Sequence, residues 1–319
     1  MRIVFMGTPD FAVHSLKALI NSGHEICGVV TQPDRPKGRG QKLTPTPVKV
    51  AAQEAAIPVF QPEKIKTPEF VRTLRQMSPQ LIIVVAFGQL LSREILDLPD
   101  YGCINVHASL LPKYRGAAPI HWALINGEAE TGITVMQMDE GLDSGDMILS
   151  AKTPVFPDDS TGTVHDKLAQ LGAELLVRAI NLISSGEAVR VSQNNKEASY
   201  APLLTKQVEK INWSHSTRDI CNLVRGLNPW PGAYTLIGDK ILKVWKALPC
   251  QPESISGPLT DLAAKQPGEI IGIVPGTGFA VAVTDGCLAV SEVQLQGSKR
   301  LRAEDFMRGH NITKGRRLG

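Results

Sequence analysis

The run Leu-Ile-Ile-Val-Val-Ala-Phe at 81–87 is apolar without a break, and it leaves the chain few architectures. A strand with no polar alternation must be covered on both faces, as happens in the middle of a parallel sheet sandwiched by helices. Residues 2–7 (RIVFMG), 25–32 (EICGVVTQ), 102–110 (GCINVHASL) and 131–139 (TGITVMQMD) read as further strands. Between them, Phe11, Val13, Leu16, Leu19 and Ile20 fall at helical spacing, and Pro9 suits a first turn. Helices are also expected over 48–56, 68–77, 118–126 and 160–185. This alternation predicts a doubly wound, mostly parallel, Rossmann-like α/β domain over residues 1–188.

The pattern then changes. Residues 189–206 are polar and lack periodicity, which reads as a linker. After a helix near 216–226, short strands separated by Gly, Pro and Asp predict a small OB-like β-barrel within 207–319. Charge divides the same way. Residues 1–205 hold 19 Lys and Arg against 21 Asp and Glu, whereas 206–319 hold 15 against 10. A basic second part suits a polyanionic partner, although ordinary surface charge explains the excess equally well when taken alone.

No apolar run approaches the roughly 20 residues of a membrane helix. The opening MRIVFMGTPD enters a strand without the apolar core of a signal peptide, so a cytoplasmic enzyme is expected. Five cysteines, at 27, 103, 221, 250 and 287, form no CxxC motif. They read as small core residues, with no disulfide framework and no metal site.

Several common chemistries lack their motifs. The segment MGTPDFA (6–12) has no GxGxxG for a dinucleotide, and neither a P-loop nor a GxSxG elbow occurs. In a doubly wound sheet, ligands sit beyond the carboxyl ends of the strands. Thr8, Gly88, the Asn105–His107 pair and the segment 139–145 fall at four such ends and could converge. An amide, an imidazole and a carboxylate (Asn105, His107 and Asp143), with no serine or cysteine placed as nucleophile, suit acyl transfer straight to an amine. Asn105 and His107 would donate to the oxygen on which charge develops. Asp143 would orient the imidazole or take the proton the amine releases. Plainer readings stay open: a strand-end capping pair for the first two and a turn-forming aspartate for the third.

The segments INVHASLLPKYRGAAPIHWALINGE (104–128) and TGITVMQMDEGLDSGD (131–146) closely resemble the folate-dependent formyltransferases. The resemblance implies 10-formyltetrahydrofolate as formyl donor and Asn105, His107 and Asp143 as the catalytic set. It implies folate contacts from Ser109, Leu110, Leu111 and Pro112, and a pterin enclosed by Ala86, Phe87, Gly88, Gln89, Leu90 and the loop from Asp139. A cis Leu111–Pro112 peptide is implied as well.

MGTPDFA, TQPDRPKGRGQKL (31–43) and VRGLNPWPGAY (224–234) match the branch of that family acting on methionyl initiator tRNA. On that reading the C-terminal barrel grips tRNA, and Arg35, Lys37, Arg39 and Lys42 meet its acceptor end. A solvated loop is the plain alternative for those four. A monomer is expected. Glycinamide ribonucleotide or an amino sugar nucleotide would be the competing acceptors. Trp230 stands between two prolines; it reads as core by default, though its turn could present it to a partner.

Overall fold

Leu81–Val85 lies fully covered at the centre of a seven-stranded sheet, as its sequence demands. A computed structural model describes residues 1–37, 40–256, 264–310 and 312–319. The chain folds as two units. The first holds Met1–Pro119, Glu130–Pro154 and His165–Ala201; the second holds Ile120–Ala129, Val155–Val164 and Pro202–Gly319.

In chain order the elements up to residue 185 are β1 (Arg2–Gly7), α1 (Asp10–Ile20), β2 (Glu25–Val30), β3 (Arg35–Lys37), β4 (Lys42–Thr44), α2 (Pro47–Glu54), β5 (Val59–Phe60), α3 (Pro68–Gln76), β6 (Leu81–Val85), α4 (Arg93–Leu96), β7 (Cys103–His107), α5 (Pro119–Ile125), β8 (Glu130–Gln137), β9 (Met147–Pro154) and α6 (Thr161–Ser185). The main sheet runs β5-β2-β1-β6-β7-β8-β9. Its first five strands are parallel, while β8 runs against β7 and β9 against β8. Helix starts follow their sequence signals: Thr46 and Thr67 each accept an N–H from the first turn, and a proline follows each of them. Helix α1 buries Phe11, Ala12, Leu16 and Leu19. Helix α6 lies close on β7 and β8, where a Cβ on Gly172 would come within 3.1 Å of Val106.

Three features depart from the sequence reading. Arg35–Lys37 and Lys42–Thr44 form a two-stranded antiparallel ribbon inside the segment taken as a loop. Met147–Pro154 is an unforeseen edge strand. Residues 189–201, read as linker, pack within the first unit. Val191 and Met147 exchange both backbone hydrogen bonds, at 2.8 and 2.9 Å, and Arg115 bridges Tyr200. These are main-chain pairings, so they leave no side-chain periodicity to read.

The second unit continues with α7 (Lys206–Glu209), α8 (Thr217–Gly226), β10 (Ala233–Ile237), β11 (Lys240–Pro249), β12 (Ile270–Val274), β13 (Gly278–Val283), β14 (Gly286–Leu295), β15 (Leu301–Arg302) and α9 (Ala303–Gly309). Its sheet is antiparallel, ordered β10-β11-β14-β13-β12, with β15 on β14. Alternation along β13 sends Phe279, Val281 and Val283 into one apolar cluster, with Ile220 and Val224 of α8 and Phe306 of α9. Ala280 and Ala282 enter a second cluster with Ile271, Cys287 and Ala289. Burial pushes the Cys103 and Cys287 thiols up to about 12, and Cys221 to about 11, as befits core residues rather than nucleophiles. Among the described residues no helix is long and apolar enough to cross a membrane.

Strand β8 tolerates little bulk where it meets β9. A Cβ on Gly132 would overlap the Ala151 carbonyl oxygen and the Leu110 side chain. Gly132→Ala should therefore cost about 1–3 kcal/mol, as overpacking does. Urea denaturation followed by circular dichroism measures this; an unshifted midpoint would show that the strand pair relaxes freely.

Candidate active site

Strand β7 supplies Asn105 and His107, two residues apart and therefore on one face of the sheet. Asp143 arrives from a different direction. Because β8 is antiparallel, Gln137 at its end sits opposite Ile104, near the start of β7. The chain must then double back through residues 138–146, a loop closed by the Gln137 N–H to Asp146 carbonyl bond at 2.8 Å. The sequence reading had this segment leave the sheet at the same edge as His107, which the strand direction corrects.

The returning loop places the Asp143 carboxylate at the centre of the group. Its Oδ2 accepts the Gly116 N–H at 2.8 Å and lies 3.6 Å from His107 Nδ1. Its Oδ1 lies 3.5 Å from Asn105 Nδ2. Asp143 adopts a φ of 50°, in the left-handed region that aspartate tolerates better than most residues. Gly116 has a φ of 116°, and a Cβ there would come within 2.8 Å of the Ala201 carbonyl oxygen. The imidazole is buried. Its Nε2 lies 2.9 Å from the Tyr114 carbonyl, and a carbonyl can only accept, so Nε2 carries a proton. Nδ1 is thus the nitrogen that faces the carboxylate.

The turn after β7 is fixed by small groups. Thr134 Oγ1 accepts the Leu111 N–H at 3.1 Å and donates to the Ser109 carbonyl at 2.8 Å. Ser109 is fully buried, and its hydroxyl donates to the Lys113 carbonyl at 2.6 Å. Leu111–Pro112 is cis. Leu110 is half-buried and Leu111 buried.

Two cavities take up the predicted residues, and Asp143 lines the smaller. One, of about 390 Å³, is lined by Lys66, Leu90, Leu91, Met136, Met138 and residues 139–143. Its methionines and leucines suit a flat heteroaromatic ring, and its polar loop suits the ring's hydrogen-bonding edge. The other, of about 1020 Å³, has Thr8, Gln32, Arg35, Thr44, Ala86, Phe87 and Gly88 in its wall. The predicted set therefore divides. Leu90, Asp139 and Asp143 share the smaller cavity, whereas Ala86, Phe87 and Gly88 join Thr8 at the larger one. Thr8 donates to the Phe87 carbonyl at 3.0 Å. Gln89 turns away, accepting the Ile65 N–H at 2.9 Å. Asp139 ties its own loop by accepting from Ser144 Oγ at 2.9 Å and from the Gly141 N–H.

Of the basic residues at 35–42, Arg35 and Lys42 are exposed at opposite ends of the ribbon, and Lys37 pairs with Lys42 through its backbone. Arg39 lies outside the described residues. The base of the ribbon is anchored by Asp34, which meets Lys49 Nζ and Gln61 Nε2 at 2.6 Å each. Those two hydrogen bonds hold its carboxyl below the usual range.

A further layer was missed in the sequence. Arg115 is buried, and its guanidinium donates to Gln193 Oε1 at 3.0 and 2.8 Å and to Asn195 Oδ1 at 2.8 Å. Gln193 Nε2 in turn donates to the carbonyls of Asp143 and Gly145, at 2.9 and 2.8 Å. Ser199 Oγ accepts the Tyr114 N–H at 2.9 Å. Arg115 beside the HASLLP turn was the only available signal. Gln193 gave none, in a segment without pattern.

Residues 1–180 match the formyl transferase family model, and 203–311 match the model for the formyl transferase C-terminal domain. This chain belongs to the formyl transferase family. A protein of Pelotomaculum thermopropionicum named methionyl-tRNA formyltransferase is 55% identical over 324 residues, covering 100% of this chain and 99% of the relative. Another so named, from Desulforamulus reducens, is 51% identical over 319 residues, covering 100% and 98%. Among solved structures, HypX from Aquifex aeolicus in complex with tetrahydrofolic acid shares the fold at a TM-score of 0.63 and 17% identity. That match covers 96% of this chain and 47% of HypX, so the chain spans about half of HypX.

In this formyl transferase, Gln193 should govern where Asp143 sits. Gln193→Ala removes both donors to the loop and one acceptor of a buried guanidinium. A misplacement of this kind should lower kcat for formyl transfer by about tenfold or more, with KM changed less. Gln193→Glu keeps the acceptor but not the donors and should be nearly as slow. Wild-type kcat in both variants would remove Gln193 from the site.

Proposed function

We propose that this chain transfers the formyl group of 10-formyltetrahydrofolate to the α-amine of methionyl initiator tRNA. The observation that carries the chemistry is the Asp143 carboxylate, held by Gly116 N–H within reach of both Asn105 and His107. The full-length likeness to proteins named methionyl-tRNA formyltransferase supports the acceptor. The amine attacks the formyl carbon, and negative charge grows on the formyl oxygen. One N–H of Asn105 Nδ2 faces that charge, the role of an oxyanion hole; His107, whose Nε2–H is given to the Tyr114 carbonyl, joins it through Nδ1 only as an imidazolium, with Asp143 as its counter-ion. The proton leaving the amine passes to Asp143, directly or through water; the tetrahedral adduct then collapses by breaking the bond from the formyl carbon to N10, which takes up a proton as tetrahydrofolate leaves. The folate's ring system would occupy the cavity of Leu90, Met136, Met138 and residues 139–143, with the turn Ser109, Leu110, Leu111 and Pro112 beside the reacting carbon.

The first unit, through Ala201, would carry the chemistry, and residues 207–319 the grip on tRNA. Arg35, Lys37, Arg39 and Lys42 would meet the acceptor end. The enzyme would work as a cytoplasmic monomer. An amino sugar nucleotide or glycinamide ribonucleotide is the competing acceptor, and nothing in the geometry favours either.

Asn105→Ala should lower kcat by about two to three orders of magnitude with little change in folate affinity. His107→Ala should cost at least as much. Near-normal turnover in either folded variant would sink the assignment. Purified enzyme offered the formyl donor with charged initiator tRNA, glycinamide ribonucleotide and an amino sugar nucleotide in parallel tests the acceptor: only the tRNA should be formylated. Binding of tRNA should weaken steeply with added salt, and Arg39→Ala should flatten that dependence by about one counterion. An unchanged salt slope would leave the ribbon as plain surface.

A further inference from the structure

Three of the four tryptophans have found an acceptor for the indole N–H. Trp213 donates to Thr235 Oγ1 at 3.0 Å, Trp245 to Gln294 Oε1 at 3.2 Å and Trp122 to the Pro202 carbonyl at 2.8 Å. Trp230 does neither of the things a structural tryptophan does. Its side chain is 68% exposed, and its Nε1 has no partner among the described residues.

Its backbone, by contrast, is tied from four sides. The Trp230 carbonyl accepts from His121 Nε2 at 3.2 Å, and the Pro231 carbonyl accepts from Lys243 Nζ at 2.6 Å. Asn228 Nδ2 donates to the Trp245 carbonyl at 2.8 Å, and Gly232 N–H closes the turn on Leu227 at 2.8 Å. Pro229 and Pro231 fix φ on either side of the tryptophan. Gly232 lies flush on the Trp245 ring, where a Cβ would come within 2.6 Å. The turn holds an aromatic ring largely in solvent, met on one side by the edge of the His121 ring, with centroids 6.4 Å apart.

The Trp245 ring on which the turn rests has two cations over it, one of them, Arg300, ion-paired to Glu292. Along β11, Leu242 and Val244 enter the core, so Lys243 is directed to the other face. Lys243 Nζ stands 5.4 Å from the Trp245 ring centroid and Arg300 Cζ 5.1 Å from it. Lys299, Arg300 and Arg302 are all exposed on the adjoining segment. The residues from 206 onward carry 15 Lys and Arg against 10 Asp and Glu. A rigid exposed aromatic with basic neighbours is the pattern that binds single-stranded nucleic acid, the base stacking on the ring and the phosphates meeting the cations. Paired bases are already covered, so the occupant must be unpaired.

We infer that Trp230 is a stacking platform for an unpaired base of the tRNA substrate, with the adjoining phosphates drawn to Lys243 and Arg300. The inference rests on the tRNA reading given above. It is tested with the full-length protein, intact tRNA, and the same tRNA stripped of its unpaired 3′ nucleotides. Trp230→Ala should weaken binding of intact tRNA by about tenfold, and Trp230→Phe should restore most of it. On stripped tRNA, wild type and Trp230→Ala should bind alike. Intact tRNA should also quench the fluorescence of the wild type much more than that of Trp230→Phe, because the other indoles are buried or half-buried. Equal affinities of wild type and Trp230→Ala for intact tRNA, or an equal deficit on stripped tRNA, would overturn the platform. If the wild type itself fails to bind tRNA, the acceptor reading falls and takes the platform with it. A full tRNA affinity in Trp230→Ala that loses a protein partner instead would mark the turn as a protein contact.

Discussion

The hydrogen bond from Gly116 N–H to the Asp143 carboxylate, at 2.8 Å, decides where the loop 138–146 can lie. Without it the loop would be a long connection between two antiparallel strands, emerging at the wrong end of β7. With it, a carboxylate carried on β8's exit reaches back along β7 to an amide and an imidazole. Gly116 can take its position because it has no side chain to meet the Ala201 carbonyl. A charged acceptor makes it stronger than an ordinary backbone bond.

The rest of the site is arranged to keep that bond in place. Residues 199–201 run beside Arg115, whose N–H donates to the Ser199 carbonyl and whose carbonyl accepts from Ala201. Gln193 ties the Asp143 loop from its backbone side, and Arg115 ties Gln193. The carboxylate is therefore gripped twice, once through its own oxygens and once through its main chain. A carboxylate fixed this way has little freedom left to lose on binding, which is where much of the advantage of a preorganised group lies.

The parts of the fold that sequence made legible are those in which side chains do the packing. The apolar run of β6, the helical spacing in α1 and the capping threonines of α2 and α3 all translate directly into structure. Strand direction does not. TGITVMQM reads the same whether it runs with or against its neighbour, so the origin of Asp143 was misjudged although its destination was not. Edge strand β9, with alternate residues exposed and little apolar content, gives a weak pattern. The ribbon of β3 and β4 hides behind prolines and charges that usually mark a loop. Gln193 and Ser199 act through main-chain partners, which leave no periodicity. That Asn105, His107 and Asp143 come together was legible because polar residues at strand ends need a reason, and the resemblance supplied one.

Thr134 has one hydroxyl, and the turn after β7 uses both of its capacities, accepting from Leu111 and donating to the Ser109 carbonyl. The position also lies within a fully buried stretch of strand, where a β-branched side chain packs best. Few residue types meet both demands. Valine would keep the shape and forfeit two hydrogen bonds at once, and serine would keep the bonds but leave a methyl-sized void. Alphabet size is thus the limiting factor here: of the twenty side chains, threonine alone combines the branch with the hydroxyl. A lineage drifting at this site, where the residue is wholly buried, would have little neutral ground.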